Sequence, residues 1–241
     1  MKATQGKSFR SSKFLQFVKD AKAAGLLIGA YHYVDDSAGS VDAAKAEAQN
    51  FYKAIQDAGG IGVFDLPPVM DYESNKNGHS KATITALAKT FLEEIHKLTG
   101  VKPLVYTYPA FMGNFTGLSS YPLWIARYST QTPADASGWT RWDFWQYSDG
   151  SAGAYLPRGT RKVDGISGAV DLNEFDGTAA ELKAKYSKTV KEDKPVTQER
   201  DINVPSKWAE TTWKEVTEKG FFDGTRPEAN SKESVKEAPL A

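Results

Sequence analysis

The feature that most constrains this chain's fold is a repeated order of amphipathic segments and short, nearly continuous apolar runs. Residues 26–33 form one such run, and others occur at 103–107 and 123–128. Uninterrupted apolar runs of this length are typical of parallel strands that are buried on both faces. Segments with helical periodicity separate the earlier runs. This alternation predicts an α/β fold built on a parallel sheet.

The element boundaries follow from capping and turn residues. Ser40 and Ser80 precede amphipathic segments, Gly25 and Gly100 close two of them, and Thr178 begins a capping-box pattern. The predicted helices cover 12–24, 41–58, 81–99 and 178–186. The predicted strands cover 26–33, 69–73, 103–107, 123–128, 144–147 and 169–173. Residues 1–10 are polar and predict a turn, and 109–121 are too irregular for a long helix.

Polar side chains at the carboxyl ends of several predicted strands favour a barrel over an open sheet. They are His32, Glu73, Tyr106, Arg127, Gln146 and Asn173. A β/α barrel builds its site from residues at that edge. No predicted strand is followed by a G-x-G-x-x-G or Walker loop. The predicted fold class is therefore α/β, an irregular β/α (TIM-like) barrel.

The candidate catalytic pair is Asp71 and Glu73, which follow the apolar residues Val69 and Met70. Side chains alternate along a strand, so the two acids are predicted to face the same side. Two neighbouring carboxyl groups in a poorly hydrated place have pKa values pushed apart, which leaves one protonated and one ionised. Glycoside hydrolysis needs such a pair. An ordinary solvated strand end with two acids has the same spacing.

Composition removes several other classes of function. The chain has 241 residues, no cysteine, and 30 basic against 30 acidic residues. Thiolate metal sites, disulfides and a basic nucleic-acid footprint are therefore not expected. The three histidines lack zinc-ligand spacing. No apolar run is long enough for membrane insertion, and the first residues lack the apolar core of a signal peptide. We expect no metal or other cofactor.

Beyond residue 186 the composition changes. Residues 187–203 are rich in Lys, Glu, Thr and Pro and predict a linker. Residues 204–241 contain one short aromatic helix pattern, with Trp208 and Trp213, followed by a polar tail. One helix cannot bury its own aromatic face, so this short helical appendage either docks elsewhere or forms half of a larger module. A weak similarity to wall-binding repeats and a disordered tail both remain open for it.

In this order, the motifs resemble glycoside hydrolase family 25, the muramidases (lysozymes) of many phage endolysins and bacterial autolysins. The matching segments are 2–6, 23–33, 69–73, 103–107, 123–128, 145–148 and 165–175. The resemblance covers nearly all of 1–186, which is the predicted catalytic domain. It implies cleavage of the β-1,4 bond between N-acetylmuramic acid and N-acetylglucosamine, with retention and without metal.

The resemblance also implies roles for individual residues. Glu73 matches the general acid/base, and Asp71 matches the group that orients it or supports the substrate's N-acetyl group. Asp171 matches a further acidic position. The implied substrate-binding residues are Tyr31, Tyr106, Trp124, Tyr128, Gln146 and Asn173. A turn-forming role for Asp171, core packing for the aromatic residues, and a hydrogen-bonded structural role for His32 are the alternatives.

One difference from the family pattern concerns the start of the chain. Family members begin with a strand that ends in Asp-x-Ser, followed by a helix and a second strand. This chain begins at the Lys-Ala-Thr that closes the second strand. The resemblance thus leads us to expect a barrel that is incomplete on its N-terminal side. We therefore also expect a truncated chain whose catalysis is impaired.

Three functional hypotheses follow. The first is a monomeric muramidase that acts on peptidoglycan at the bacterial cell wall, reached by secretion through another route or by host lysis. The second is a catalytically impaired remnant that still binds walls. The third is another glycosidase of N-acetylated sugars, such as a chitinase. Against the third, the fuller chitinase pattern D-x-x-D-x-D-x-E is absent, because residues 64–70 supply only Asp65.

Overall fold

The fold is known from a computed structural model, which describes residues 1–151 and 166–186. These residues fall within one unit, Met1–Lys188. The predicted linker at 187–203 and the predicted appendage at 204–241 lie outside the described residues.

The described residues form short strands and longer helices in alternation. The strands are β1 (Lys2–Gln5), β2 (Phe9–Arg10), β3 (Tyr31–Tyr33), β4 (Val69–Asp71), β5 (Leu104–Thr107), β6 (Leu123–Ala126), β7 (Phe144–Ser148) and β8 (Leu172–Phe175). The helices are α1 (Phe14–Ala23), α2 (Val41–Asp57), α3 (Lys81–Thr99), α4 (Pro109–Met112) and α5 (Ala179–Tyr186).

All of these strands belong to one sheet, in the order β2-β1-β3-β4-β5-β6-β7-β8. The six strands from β1 and β3 through β7 are parallel to their neighbours, while β2 and β8 pair antiparallel at the two ends. Within the described part of the chain the sheet therefore has two edges. The α/β class is confirmed, and the open sheet agrees with an incomplete barrel.

The predicted caps position the two long helices. Ser40 accepts a hydrogen bond from the Ala43 N–H at the start of α2, and Ser80 accepts one from Thr83 at the start of α3. Gly100 ends α3 with a φ of 69°. The two helices pack against each other over the sheet through aromatic and aliphatic side chains, including Phe51 and Phe91. The two helices therefore cover the outer side of the strands, and the other side, called the inner side below, remains for a site.

Three strand predictions were wrong in their details, and two more, 69–73 and 123–128, end earlier than predicted, at Asp71 and Ala126. The predicted strand 26–33 is regular only over β3, because the carbonyls of Ile28 and Gly29 bind Asp65, Leu66 and the Met1 amine instead of a regular ladder. The last strand begins at Leu172 and runs antiparallel to β7, with Phe175 opposite Phe144. Val170 packs so closely on Gly150 that a side chain there would collide with its carbonyl.

The third error concerns the start of the chain. Residues 1–10 form a hairpin of β1 and β2 around Gly6, which has a φ of 56°. A turn was predicted for this segment because its residues are mostly polar. β1 is nevertheless a full member of the sheet, with Ala3 and Thr4 buried. As for membranes, the helices of the described residues include none that combines the length and the apolar character required to span one.

Candidate active site

Asp71 and Glu73 lie on the inner side of the sheet at the carboxyl end of β4. Tyr72, between them, is fully buried on the opposite side, with its ring centre 5.2 Å from that of Phe111 and 5.8 Å from that of Phe115. Side chains alternate along the chain here, so the two acids share the other face. Asp71 is only 7% exposed, whereas Glu73 is partly exposed. One carboxyl group is thus deep and the other is shallow.

Their environments separate the two acids electrostatically. Burial, followed by the charge of Glu73, raises the pKa of Asp71 to about 8. Burial, followed by the charge of Asp171, raises the pKa of Glu73 as well. Oδ1 of Asp71 is buried and has no hydrogen-bond partner among the described residues. An unpaired buried oxygen disfavours the ionised form, so burial favours the protonated form of Asp71.

Three tyrosines converge on the same acids. Burial raises the pKa of Tyr31 to about 12, with further contributions from Asp71, Asp171 and Glu73. The pKa values of Tyr106 and Tyr128 are also raised by burial, and both hydroxyl groups feel Glu73 and Asp171. Tyr106 lies directly across from Asp71 in the β4–β5 register. The structure therefore brings together three of the predicted substrate-binding residues and all three predicted acids.

The remaining predicted binding residues, Trp124, Gln146 and Asn173, form hydrogen bonds that connect side chains from β5 to β8. The Tyr106 hydroxyl donates to Oε1 of Gln146 at 2.8 Å, and the Tyr128 hydroxyl lies 3.4 Å from the same oxygen. The Trp124 Nε1–H donates to Oδ1 of Asn173 at 2.9 Å. The rings of Tyr106 and Trp124 meet edge to face at 5.1 Å. The bond between Tyr106 and Gln146 skips β6, and the bond between Trp124 and Asn173 skips β7, so these side chains hold one another in position.

Asp171 reaches the site from an unexpected direction. The prediction places it at the end of the last strand, but it precedes Leu172, where β8 begins. Because β8 runs antiparallel to β7, with Leu172 opposite Ser148, the start of β8 lies at the carboxyl edge of the parallel strands. Asp171 is exposed at this edge, and burial together with Asp149 raises its pKa. Its role remains a prediction.

His32 lies on the outer side of the sheet, away from the acids. Its ring is fully buried between Phe51 and Phe91. Nδ1 is 2.7 Å from Oγ1 of Thr4, and Nε2 is 2.9 Å from Oε2 of Glu47. Burial lowers the pKa of His32 to about 3. A neutral, doubly hydrogen-bonded histidine fits the structural role expected for it.

Sequence reasoning missed Lys2 and Tyr33. Lys2 lies on β1 with its ammonium nitrogen 4.9 Å from the centre of the Tyr33 ring, and its charge lowers the pKa values of both Asp71 and Glu73. Residues 1–10 predict a turn, so strand alternation could not assign Lys2 to a face. Recognition of β1 as a strand would have placed Lys2 and Thr4 by register with Tyr31 and His32.

A cavity of about 390 Å³ lies at the opposite, amino-terminal end of the strands. Its walls are mainly apolar, and no Asp, Glu, Lys, Arg or His side chain lines it. The lining residues include Met1, Leu26, Leu27, Val69, Leu104 and Phe144. Tyr31, Trp124 and Asn173 also line it, so they lie between this cavity and the acids above. No carboxyl or imidazole side chain of the described residues lines it, so the candidate active site is the acidic edge.

The fold and site together define a β/α-barrel-like protein with an acid pair and convergent tyrosines at the carboxyl edge of its parallel strands. The chain belongs to the glycosyl hydrolases family 25, whose family model matches residues 1–153.

Individual relatives agree with this assignment. The chain is 35% identical over 186 residues to the uncharacterized protein YegX of Escherichia coli O157:H7, covering 76% of this chain and 61% of that protein. It is 30% identical over 201 residues to lysozyme M1 of Streptomyces globisporus, covering 78% and 63%. A muramidase structure from Acremonium alcalophilum superposes with a TM-score of 0.61 at 30% identity, covering 77% of this chain and 85% of that one.

The chain spans about three fifths of the length of these curated relatives.

Proposed function

We propose that this chain is a peptidoglycan hydrolase of the N-acetylmuramidase (lysozyme) type. It cleaves the β-1,4 bond between N-acetylmuramic acid and N-acetylglucosamine, with retention and with its own carboxyl groups as acid and base. The observation that carries the proposal is the Asp71–Glu73 pair, one acid deep and one shallow, at the carboxyl end of β4. The lysozyme and muramidase relatives support the same reaction.

Glu73 acts as the general acid because it is the shallower of the two groups and can reach a glycosidic oxygen. Its proton goes to that oxygen as the bond from C1 to the leaving sugar breaks. In the second step the Glu73 carboxylate takes a proton from water, whose oxygen bonds to C1 as the bond that C1 formed with the substrate's own acetamido oxygen in the first step breaks. Two displacements at C1 give overall retention.

Asp71 supports the substrate's N-acetyl group. The acetamido carbonyl oxygen attacks C1 in the first step, and the acetamido N–H donates to the unpartnered Oδ1 of Asp71. That hydrogen bond favours ionised Asp71, while the bound sugar excludes water from Glu73 and favours its protonated form. Substrate binding therefore moves the pair's proton from Asp71 to Glu73. In the alternative that the resemblance leaves open, Asp71 only orients Glu73.

The tyrosine and tryptophan side chains bind the sugar rings. Tyr31, Tyr106, Trp124 and Tyr128 present apolar ring area and hydroxyl or indole groups near the acids. Sugars offer both C–H faces and hydroxyl groups, which such amphipathic rings match. Gln146 and Asn173 hold Tyr106 and Trp124 in place. The enzyme acts as a monomer at the bacterial cell wall.

The test is the release of reducing sugar from purified bacterial walls by the wild-type chain and by Glu73→Gln. We expect a loss of at least about 100-fold in the variant, the scale of general acid catalysis. Glu93→Gln is the matched control, because Glu93 is exposed on α3 and pairs only at the surface with Lys89. Equal turnover by Glu73→Gln and the wild type would rule out the assigned acid.

The same purified walls distinguish the hydrolase proposal from the second hypothesis, a catalytically impaired remnant that still binds walls. Wall binding in a pull-down without any release of reducing sugar would favour a binding protein over a hydrolase. Turnover of chitin oligomers, but not of peptidoglycan, would favour the third hypothesis, another glycosidase of N-acetylated sugars such as a chitinase.

A further inference from the structure

Lys2 faces the same side of the sheet as the acid pair. β1 pairs with β3 so that Lys2 lies opposite Tyr31 and Gln5 lies opposite Tyr33, with a register irregularity after Lys2. Thr4 points to the other side, where its hydroxyl meets the buried ring of His32. The Lys2 ammonium donates to Oε1 of Gln5 at 2.7 Å. Lys2 and Gln5 therefore share the inner side with the tyrosines of β3.

Two aromatic rings restrain the same ammonium group. Its nitrogen lies 4.9 Å from the centre of the Tyr33 ring and 5.7 Å from that of Phe9. Tyr33 in turn lies across from Asp71 in the β3–β4 register. Cation–π contacts and the hydrogen bond to Gln5 offset the rotamer entropy that a free lysine would keep. The charge is thus held beside the strand that carries the acids.

The contacts that hold Lys2 leave its charge available. They are an amide oxygen and two rings, not a carboxylate, so they do not neutralise it. The field of Lys2 lowers the pKa values of Asp71 and Glu73, against the raising effect of burial. The same field lowers the pKa of His32 across the sheet. Asp171 has the opposite effect, because its negative charge raises the pKa of Glu73.

We propose that Lys2 is a positioning residue of the hydrolytic site: its ammonium, held by Gln5 and by the rings of Tyr33 and Phe9, is a fixed positive charge that moves the pH range in which the Asp71–Glu73 pair works to lower values. This inference rests on the proposed hydrolase function. Without Lys2, both acids keep their protons to higher pH. The pair then reaches its singly protonated state only in more alkaline solution.

The experiment combines pH–rate profiles on purified walls with carbon-13 NMR titrations of the Asp71 and Glu73 carboxyl groups. In Lys2→Gln, both titrations and both limbs of the rate profile move to higher pH by roughly 0.5 to 1 pKa unit. The rate on the acidic limb falls by about 3- to 10-fold. Lys2→Arg retains the charge and keeps the wild-type profile. The matched control Lys7→Gln removes a charge from the exposed turn of the same hairpin and leaves both readouts unchanged.

Thermal unfolding checks that each variant folds, and Lys2→Met replaces Lys2→Gln if the latter does not. Three outcomes then decide whether Lys2 has the proposed role. Carboxyl titrations that stay at wild-type values in a folded variant overturn the inference. A uniform fall in rate without movement of either limb also overturns it, since packing alone would then explain Lys2. If the wild type releases no sugar but its titrations still move on loss of Lys2, the hydrolase proposal fails while the electrostatic role stands.

Discussion

Replacement of Glu47 by glutamine gives the sharpest prediction about stability. Glu47 lies on α2, and only 3% of its surface is exposed. Its Oε2 accepts a hydrogen bond from the Asp35 N–H at 2.9 Å and lies 2.9 Å from Nε2 of His32. Burial lowers the pKa of His32, which favours a neutral imidazole beside Glu47. Glu47 is thus a buried carboxyl group with a neutral partner.

Burial raises the pKa of Glu47 from 4.5 to about 8. A carboxyl group whose pKa is higher in the folded than in the unfolded state stabilises the fold fully below the unfolded value. That contribution is lost as the pH rises through the folded value. One pKa unit corresponds to about 1.4 kcal/mol, so the wild type loses at most about 5 kcal/mol between pH 4.5 and pH values above 8.

Glutamine can accept the same two hydrogen bonds through its amide oxygen and does not titrate. We therefore expect Glu47→Gln to match the wild type within about 1 kcal/mol near pH 5, as for one exchanged hydrogen-bonding group. Near pH 9 it should be more stable by about 2 to 5 kcal/mol. Asp71 also has a raised pKa, but it is present in both proteins, so its contribution cancels in the difference.

The assay is urea unfolding of both proteins at intervals from pH 5 to pH 9, followed by tryptophan fluorescence and far-ultraviolet circular dichroism. Glu93→Gln, the same substitution at an exposed position, serves as the control and should show no pH-dependent difference. A wild-type-minus-variant difference that stays constant across this range would refute the reasoning. So would a variant that is less stable at pH 9.

Two further substitutions test the packing and capping that hold the sheet. Phe51→Ala removes a fully buried ring beside His32 and Phe91, and should lower the free energy of unfolding by about 3 to 5 kcal/mol; a loss below about 1 kcal/mol would contradict this placement. Ser80→Ala removes the oxygen that accepts the Thr83 N–H and should cost about 1 kcal/mol in urea unfolding, and Ser40→Ala should cost a similar amount on α2.

The helices were predictable from the sequence because their signals are local. Ser80 and Gly100 bound α3 at the residues that capping rules indicate, and Thr178 with Glu181 forms the predicted reciprocal bonds before α5. These signals depend on residues within one turn of each other. The shared inner face of Asp71 and Glu73 was predictable for the same reason, because alternation along a strand is a local property.

Strand pairing was less predictable because it depends on distant residues. The antiparallel direction of β8 is seen in its pairing with β7, with Leu172 opposite Ser148 and Phe175 opposite Phe144, and no local pattern indicates it. The limits of β3 follow from carbonyl groups that bind residues far along the chain. The proposed role of Lys2 was not predictable for a related reason, because it depends on the pairing of β1 with β3, which brings Lys2 close to Tyr33. The depth of Asp71 relative to Glu73 likewise depends on the whole sheet.

The most direct test of muramidase action identifies the sugar at each newly formed chain end. Purified peptidoglycan is digested with the wild-type chain, reduced with borohydride and hydrolysed to its component sugars. We expect the reduced ends to be the alcohol of muramic acid, and we expect Glu73→Gln to produce almost none. Reduced ends consisting of glucosamine alcohol, or no new ends from a folded wild-type chain, would contradict it.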